Sequence, residues 1–331
     1  EFMILSRKMY AKYPHNYEFM NLNFAIEEEL FNNNKAATKI LENYCKKYFS
    51  TQALEKLAYK YMNTGKTDKA LSTLRKRNET MPYACGFLYS YATLLQRMQR
   101  YQEALATLDE IKKIAPYMSQ IYNTEGYIHK DMKNTEKAKE AFRRSIYYGP
   151  TSYDSRNQLR LLENKKEVFD LFPKIELAQL IAGTPVAADY PEDNAIIVLY
   201  DNQLVFYPEG AKEIRTEIAV KILNQSGIEE WKEYNIAYGN NSQKLLLDKY
   251  EVIKANGQRV KAETDYRNRI VFPNLEVGDV LHLEYRLQDY QTGTLSKHFS
   301  DWALMQYGIP VMYTRFALLA PADKEFQYLV K

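Results

Sequence analysis

Small and large apolar residues recur in the first half of the chain with a period of 34 residues. An alanine keeps this interval, and a large apolar residue follows it four positions later, giving the pairs Ala70 and Leu74, Ala104 and Leu108, and Ala138 and Phe142. A proline keeps the same interval, at Pro82, Pro116 and Pro150. Residues four apart share one face of a helix, and proline cannot continue a helix. The pattern therefore predicts stacked pairs of helices, each pair ending before its proline.

The first helix of each predicted pair carries its own small residue, at Ala58, Ala92 and Gly126. Small residues on both helices allow close approach while larger neighbours fill the remaining space. The predicted repeats are 17–50, 51–84, 85–118 and 119–152, preceded by a partial repeat at 3–16. Further helices are predicted over 152–170 and 173–182, and we expect them to cap the stack, since its last apolar face would otherwise meet water.

From Ala195 onwards the periodicity changes to two, which predicts β-strands. The predicted strands are 195–200, 203–207, 215–224, 228–238, 245–254, 258–262, 269–272, 279–287, 299–307, 311–319 and 326–330. Asp201 and Asn202 are predicted to form a tight hairpin turn. Because no crossover helices separate these strands, we expect antiparallel pairing and closure as a sandwich. The predicted architecture is a helical solenoid over 1–182, a linker over 183–194 and an antiparallel β-sandwich-like domain over 195–331.

Composition excludes several classes of function. The formal net charge is +3, and the 45 basic and 42 acidic residues are mixed along the chain, so no nucleic-acid-binding surface is predicted. No apolar run reaches the ~18–20 residues that span a bilayer. The two cysteines, Cys45 and Cys85, both lie within the repeats, where we expect them to pack as small apolar side chains.

The sequence predicts no catalytic or metal site. A cysteine hydrolase needs a thiolate activated by a histidine, and no cysteine follows Cys85. His129 occupies a packing position of its repeat, and His282 is predicted to face solvent beside Glu284. The four histidines are scattered and do not form a metal-binding pattern. We therefore expect this chain to be non-enzymatic and to hold no cofactor.

In period and residue types, residues of about 3–170 resemble tetratricopeptide repeats. The resemblance implies that the first helices line a concave groove that binds a peptide or an extended protein segment. Carried over one position at a time, the family's groove positions correspond here to Tyr59, Tyr89, Thr93, Arg97, Asn123, Tyr127 and Lys130. The lysine and asparagine pattern with which some members clamp a peptide carboxylate is not reproduced.

The last part of the chain, from about residue 189 to residue 331, shows a second resemblance. Its motifs are Tyr190-Pro191, the run from Ala195 to Leu199, the run from Lys221 to Gly227, Ala255-Asn256-Gly257, and the stretch from Phe272 to Val280. In this order they resemble the transglutaminase-associated domain of unknown function that is common in Bacteroidetes. The resemblance implies a β domain that precedes a transglutaminase-like cysteine hydrolase core in exported proteins of the periplasm or cell envelope.

These observations predict a scaffold that binds a protein or peptide partner and has no catalysis of its own. One alternative is the amino-terminal accessory region of an exported transglutaminase-like hydrolase whose core lies beyond residue 331. Another is glycan binding by the β domain, suggested by Trp231 and Trp302.

Overall fold

The computed structural model describes residues 2–265, 268–298, 305 and 307–327. Contacts divide the chain into two units, Glu1–Ala141 and Phe142–Lys331. The first unit is built from helices, and the second contains all the described strands. The boundary falls within the helix Thr135–Tyr148, so the second unit begins well before the predicted linker at 183–194.

The helices of the first unit occur as consecutive pairs. Their bounds are α1 Phe2–Lys12, α2 Tyr17–Ala25, a π-helical turn Ile26–Leu30, α3 Asn34–Lys47, α4 Thr51–Asn63, α5 Thr67–Thr80, α6 Cys85–Arg97, α7 Tyr101–Ile114, α8 Ser119–Asp131 and α9 Thr135–Tyr148, whose last turns belong to the second unit. We call α2, α4, α6 and α8 the first helices. Three helices begin at polar caps: the side chains of Asn16, Asn33 and Ser50 accept hydrogen bonds from backbone N–H groups of α2, α3 and α4.

The predicted helix ends and buried alanines are confirmed. Helices α5, α7 and α9 each end two residues before Pro82, Pro116 and Pro150. Ala70, Ala104 and Ala138 have no exposed surface, and Ala92 on α6 has none either. Close helix contacts at these positions leave no room for a larger side chain. One apolar core runs through the pairs of this unit, and the predicted helical solenoid is confirmed.

The second unit contains short helices followed by two sheets. Its further elements are α10 Tyr153–Leu162, a 3-10 helix Val168–Leu171, α11 Leu177–Ala182, a 3-10 helix Ala187–Asp189, β1 Ala195–Phe206, β2 Lys212–Ile222, α12 Gln225–Trp231, β3 Glu233–Asn235, β4 Gln243–Ile253, β5 Arg259–Lys261, β6 Glu263–Asp265, β7 Arg269–Val271, β8 Val280–Asp289, a 3-10 helix Thr294–Lys297 and β9 Thr314–Leu319. The helix predicted over 152–170 is broken, because Asn164 adopts a left-handed conformation (φ 54°) after α10.

The larger sheet has six strands in the order β5-β4-β8-β2-β1-β9, and the smaller one has the order β3-β7-β6. The smaller sheet contributes Ile270 to an apolar core with Leu281 and Leu283 of the larger sheet, so the two sheets form a sandwich. The opposite face of the larger sheet is covered by α11 and by Phe169 and Phe172 in and after the 3-10 helix. The segments expected to cap the solenoid therefore pack on the sheet.

One strand corrects the predicted hairpin at Asp201 and Asn202. Strand β1 continues through both residues, and β2 pairs with it from Ala195 to Phe206. Asp201 is 2% exposed and accepts two hydrogen bonds of 2.7 Å from the Arg315 guanidinium. The ion pair with Arg315 allows this carboxylate to be buried. The local sequence pattern predicted a solvated turn because Arg315 lies 114 residues away along the chain. The turn into β2 follows Phe206 and contains Gly210 at φ 96°.

Two further predictions in this unit are corrected. Residues 228–238 are not one strand, because Asn224 caps the short helix α12 by accepting a hydrogen bond from the Gly227 N–H. Strand β9 pairs parallel to β1, so pairing is not entirely antiparallel. The predicted strands at 299–307 and 326–330 lie largely outside the described residues.

Candidate functional site

Two cavities lie along the first helices of the solenoid unit. One lies between α4 and α6, and we call it the α4–α6 cavity; Tyr59, Met62, Ser90, Thr93 and Arg97 line it. The other lies between α2 and α4, and Tyr17, Phe24 and Lys60 contribute to it. Glu55 and Tyr59 line both cavities. The two cavities therefore adjoin each other along α4.

The structure brings three of the seven predicted groove residues to one place. Tyr59, Thr93 and Arg97 all line the α4–α6 cavity. The Tyr59 side chain is 54% exposed, and Arg97 is exposed as well. Arg97 makes no ion pair with any residue in the described part of the chain, so its guanidinium is available to a ligand.

The other four predicted residues lie on α6 and α8, outside this cavity. The hydroxyl groups of Tyr89 and Thr124 are hydrogen-bonded at 3.0 Å, which links α6 to α8. Asn123 and Tyr127 are partly buried on α8. Lys130 is exposed, with its Nζ 5.7 Å from the centre of the Tyr127 ring. These residues continue the surface of the first helices beyond the α4–α6 cavity.

Three further residues that were not predicted from the sequence line the cavity: Glu55, Met62 and Ser90. Helical spacing is the signal that could have found them. Glu55 and Met62 lie four residues before and three residues after Tyr59, and Ser90 lies three residues before Thr93. Residues at these spacings share a helical face.

A buried arginine lies next to the cavity-lining Glu55. Arg77 on α5 has no exposed surface, and its Nη1 lies 3.7 Å from Glu55 Oε1. Its Nη2 donates a hydrogen bond of 3.0 Å to the Phe87 carbonyl, and the guanidinium carbon lies 4.0 Å from the centre of the Phe87 ring. Burial lowers the pKa of Arg77, and the negative charge of Glu55 opposes this shift. This pair links α5 to Glu55 at the edge of the cavity.

Charges differ between the two ends of this surface. Near α2, the π-helical turn presents Glu28 and the exposed Glu29. Glu28 forms an ion pair with Lys60, so that lysine is already neutralised. Towards α6 and α8 the exposed charges are Arg97, Lys130 and Asp131. The exposed Glu29 and the exposed Arg97 thus lie toward opposite ends of the surface formed by α2, α4 and α6.

Cys45 and His129 are both buried in the solenoid unit. Burial raises the pKa of the Cys45 thiol to about 11, which keeps it protonated at neutral pH. His129 is buried, and burial lowers its pKa. Within the described residues, no group of three or more histidine, cysteine, aspartate or glutamate side chains could hold a metal ion.

His282 corrects the prediction of a solvent-facing side chain. It is 2% exposed on β8, with Nε2 2.9 Å from Glu217 on β2 and Nδ1 3.0 Å from Glu251 on β4. Ionised carboxylates only accept hydrogen bonds, so both can bind the ring only when both ring nitrogens carry protons. Burial raises the pKa of each glutamate, but the bond from His282 and nearby cations outweigh it, and both values lie below the ordinary one. The cluster joins three neighbouring strands.

Trp231, one of the two tryptophans proposed for glycan binding, does not lie on an open platform. Trp231 is partly buried and stacks on Tyr234 with 6.3 Å between ring centres. Both rings pack against the core between the two sheets. Trp302 lies outside the described residues. No described helix is both long enough and apolar enough to cross a membrane.

Family comparisons match two segments of the chain. Residues 119–151 match the tetratricopeptide repeat model, at the position of the predicted repeat 119–152. Residues 208–331 match the model described as Domain of Unknown Function with solved-structure structure, DUF3857. No curated protein matches the chain.

Solved structures cover parts of the chain at low identity. A candidate protease from Parabacteroides distasonis is 16% identical over 39% of this chain and 29% of its own length, with a TM-score of 0.33. The first TPR of Spaghetti (RPAP3), bound to the HSP90 peptide SRMEEVD, is 20% identical over 34% of this chain and 90% of its own, with a TM-score of 0.32. YrrB, a TPR protein with an unusual peptide-binding site, is 14% identical over 47% of this chain and 80% of its own length, with a TM-score of 0.39. At these TM-scores the similarities carry no argument about function.

Proposed function

We propose that the first helices α2, α4 and α6 bind an extended peptide segment of a partner protein. The observation that carries this proposal is the α4–α6 cavity, where an exposed tyrosine, a threonine hydroxyl and an arginine without an ion pair meet. Tyrosine provides a large contact area and a hydroxyl at low entropic cost. Arginine and tyrosine are also the residues that most often dominate binding energy at interfaces.

The charges along this surface favour a peptide with opposite charges at its two ends. The exposed Glu29 attracts a basic group at the α2 end, and the exposed Arg97 on α6, which makes no ion pair within the described residues, attracts an acidic group. Complementary charges orient a ligand and reject the reverse orientation. We therefore propose a peptide that carries basic and acidic residues at opposite ends, with an apolar or aromatic residue over Tyr59.

Selection of peptides from a random display library, followed by calorimetric titration of the best binder, tests this proposal. Replacing Tyr59 by alanine should raise Kd roughly tenfold, the equivalent of ~1.4 kcal/mol, without lowering the melting temperature. The matched control is Tyr83→Ala, since Tyr83 is 82% exposed and lines none of the cavities described above. Equal effects of the two substitutions, or no effect of Tyr59→Ala, would contradict the assignment.

A second candidate function concerns the whole protein. We propose that this chain is the accessory region of an exported transglutaminase-like hydrolase and is itself non-catalytic. The match of residues 208–331 to the DUF3857 model and the resemblance of residues from about 189 to 331 to a transglutaminase-associated domain favour this candidate. Sequencing the coding region beyond Lys331 tests it. A Cys, His and Asp in that order would support the proposal, and an early stop codon would refute it.

A further inference from the structure

Strand β4 has an open outer edge in the larger sheet. It pairs with β8 along its whole length, but with β5 only at Glu251, Val252 and Ile253. Among the described residues, no strand pairs with the outer edge of β4 from Gln243 to Lys249. An edge of this kind presents unpaired backbone groups to other strands.

The alternation of an antiparallel ladder identifies the unpaired groups. The Tyr290 N–H donates a hydrogen bond of 2.7 Å to the Ser242 carbonyl, so the backbone groups of Ser242 face β8. Alternation then turns the N–H and C=O groups of Leu245 and Leu247 away from β8, toward the open edge. The Gln243 N–H is already bonded to the Gly239 carbonyl. Within the described residues, the edge therefore offers the N–H and C=O groups of Leu245 and Leu247, and the Gln243 carbonyl faces the same way.

Charged side chains flank these two residues. Lys244, Leu246 and Asp248 share one face of β4, and Leu245 and Leu247 pack on the opposite face in the core between the sheets. Asp248 accepts hydrogen bonds of 2.7 and 2.8 Å from Arg286. Lys244 is exposed and forms no ion pair within the described part of the chain. A lysine on a sheet edge ordinarily opposes pairing with another strand.

We propose that this edge pairs with the same edge of a second copy of the chain. A twofold axis at Leu246 places Leu245 opposite Leu247 of the partner subunit, and Leu247 opposite Leu245 of the partner subunit. This register satisfies the N–H and C=O groups of both leucines. The same register sets Lys244 opposite Asp248 of the partner subunit on both sides of the axis. The lysine that opposes other strands thus favours this partner.

The charge pattern selects a second copy over an unrelated strand. An antiparallel partner with a carboxylate opposite Lys244 matches this edge, and the chain itself provides that carboxylate in Asp248, which also accepts hydrogen bonds from Arg286. The bulge at Asp248, where the register with β8 shifts, ends the paired segment. So short an interface makes a weak, concentration-dependent dimer.

Sedimentation velocity over a wide range of concentrations tests the association. The average mass of the full 331-residue chain should rise from 38.9 kDa toward twice that value. Lys244→Glu should weaken the association roughly tenfold, because it sets like charges opposite each other at two places. Lys174→Glu makes the same charge change at an exposed position off this edge and should have no effect. A chain that stays monomeric at all concentrations overturns the proposal.

Oxidative cross-linking tests the register. In a Cys85→Ser background, which removes the more exposed native thiol, Leu246→Cys should form a disulfide-linked dimer, since residues on the axis lie within disulfide reach. Asn256→Cys, in an exposed turn away from the axis, is the matched control. Cross-linking through Leu246→Cys that is no faster than through the control contradicts this register.

Discussion

The two units of this protein bury different kinds of side chain. The solenoid unit buries mainly apolar residues and the alanines that let helices approach each other. All the carboxylates that are buried among the described residues lie in the sheet unit, at Asp201, Glu213 and Asp279. Each is paired: Asp201 binds Arg315, Glu213 binds Tyr207 and Gln288, and Asp279 binds Lys254.

The difference follows from how each unit sets its register. A helix in a repeat packs against neighbours that are close in sequence, so apolar periodicity alone positions it. A strand that slips by one residue turns every side chain to the opposite face. Asp201 and Arg315 are directly opposite each other in the parallel pair of β1 and β9, where slippage would leave both charges unpaired. Buried charge pairs thus specify the pairing of strands distant in sequence.

The largest expected effect comes from breaking this buried pair. Arg315→Met should lower the free energy of unfolding of the sheet unit by about 4 kcal/mol, because it leaves the Asp201 carboxylate buried without its cation. Chemical denaturation measures the loss of stability, with hydrogen exchange of β1 and β2 as the probe of the sheet unit. Replacing both residues, with Asp201→Leu and Arg315→Met, should recover most of it. A single variant as stable as the double one would contradict this account.

A cavity in the solenoid core should have the next largest effect. Leu108 on α7 has no exposed surface, and Leu108→Ala should cost about 3 kcal/mol through lost burial and the cavity that remains. Hydrogen exchange of α6, α7 and α8 measures the cost. The control Tyr83→Ala, at an 82% exposed position, should change stability by less than about 0.5 kcal/mol. Similar losses of stability for both variants would contradict the role of Leu108 in packing the solenoid core.

The charged cluster at His282 should make the sheet unit sensitive to acid. The pKa values of Glu217 and Glu251 lie below the ordinary 4.5, so their stabilising effect is present above that pH and is lost as the pH falls through the lowered values. His282→Gln should cost about 2 kcal/mol and reduce the loss of stability on acidification, because both carboxyl pKa values rise toward the ordinary one when only cations such as Lys249 and Arg259 still lower them. Melting temperatures between pH 3 and pH 7 give the profile. An equal loss of stability in the variant over this range would refute the cluster's role.

The sequence predicted the solenoid well because its determinants are local. Ala70, Ala104 and Ala138 are buried as their spacing indicated, and the helices end before the predicted prolines. The sheet was harder to predict because its pairing is not local. Asp201 has the residue type of a turn, and only the contact with Arg315 explains its place in a continuous strand. Asn224 carried a helix-cap signal that the strand pattern around it obscured.

The candidate site was predicted only in part, because the repeat pattern specifies positions along each helix but not the contacts between helices. Repeat register placed Tyr59, Thr93 and Arg97 on the first helices, and the structure brings them to one cavity. The contact between Glu55 and the buried Arg77 joins two helices of one pair, and the repeat pattern does not specify it.

Hydrogen exchange with and without a selected peptide tests the central claim most directly. If the first helices bind the peptide, exchange should slow in α4 and α6 around Tyr59 and Arg97, and the Tyr59→Ala variant should lose this protection at the same peptide concentration. Protection confined to the strands β1 to β9, with α4 and α6 unchanged, would contradict the proposed binding surface.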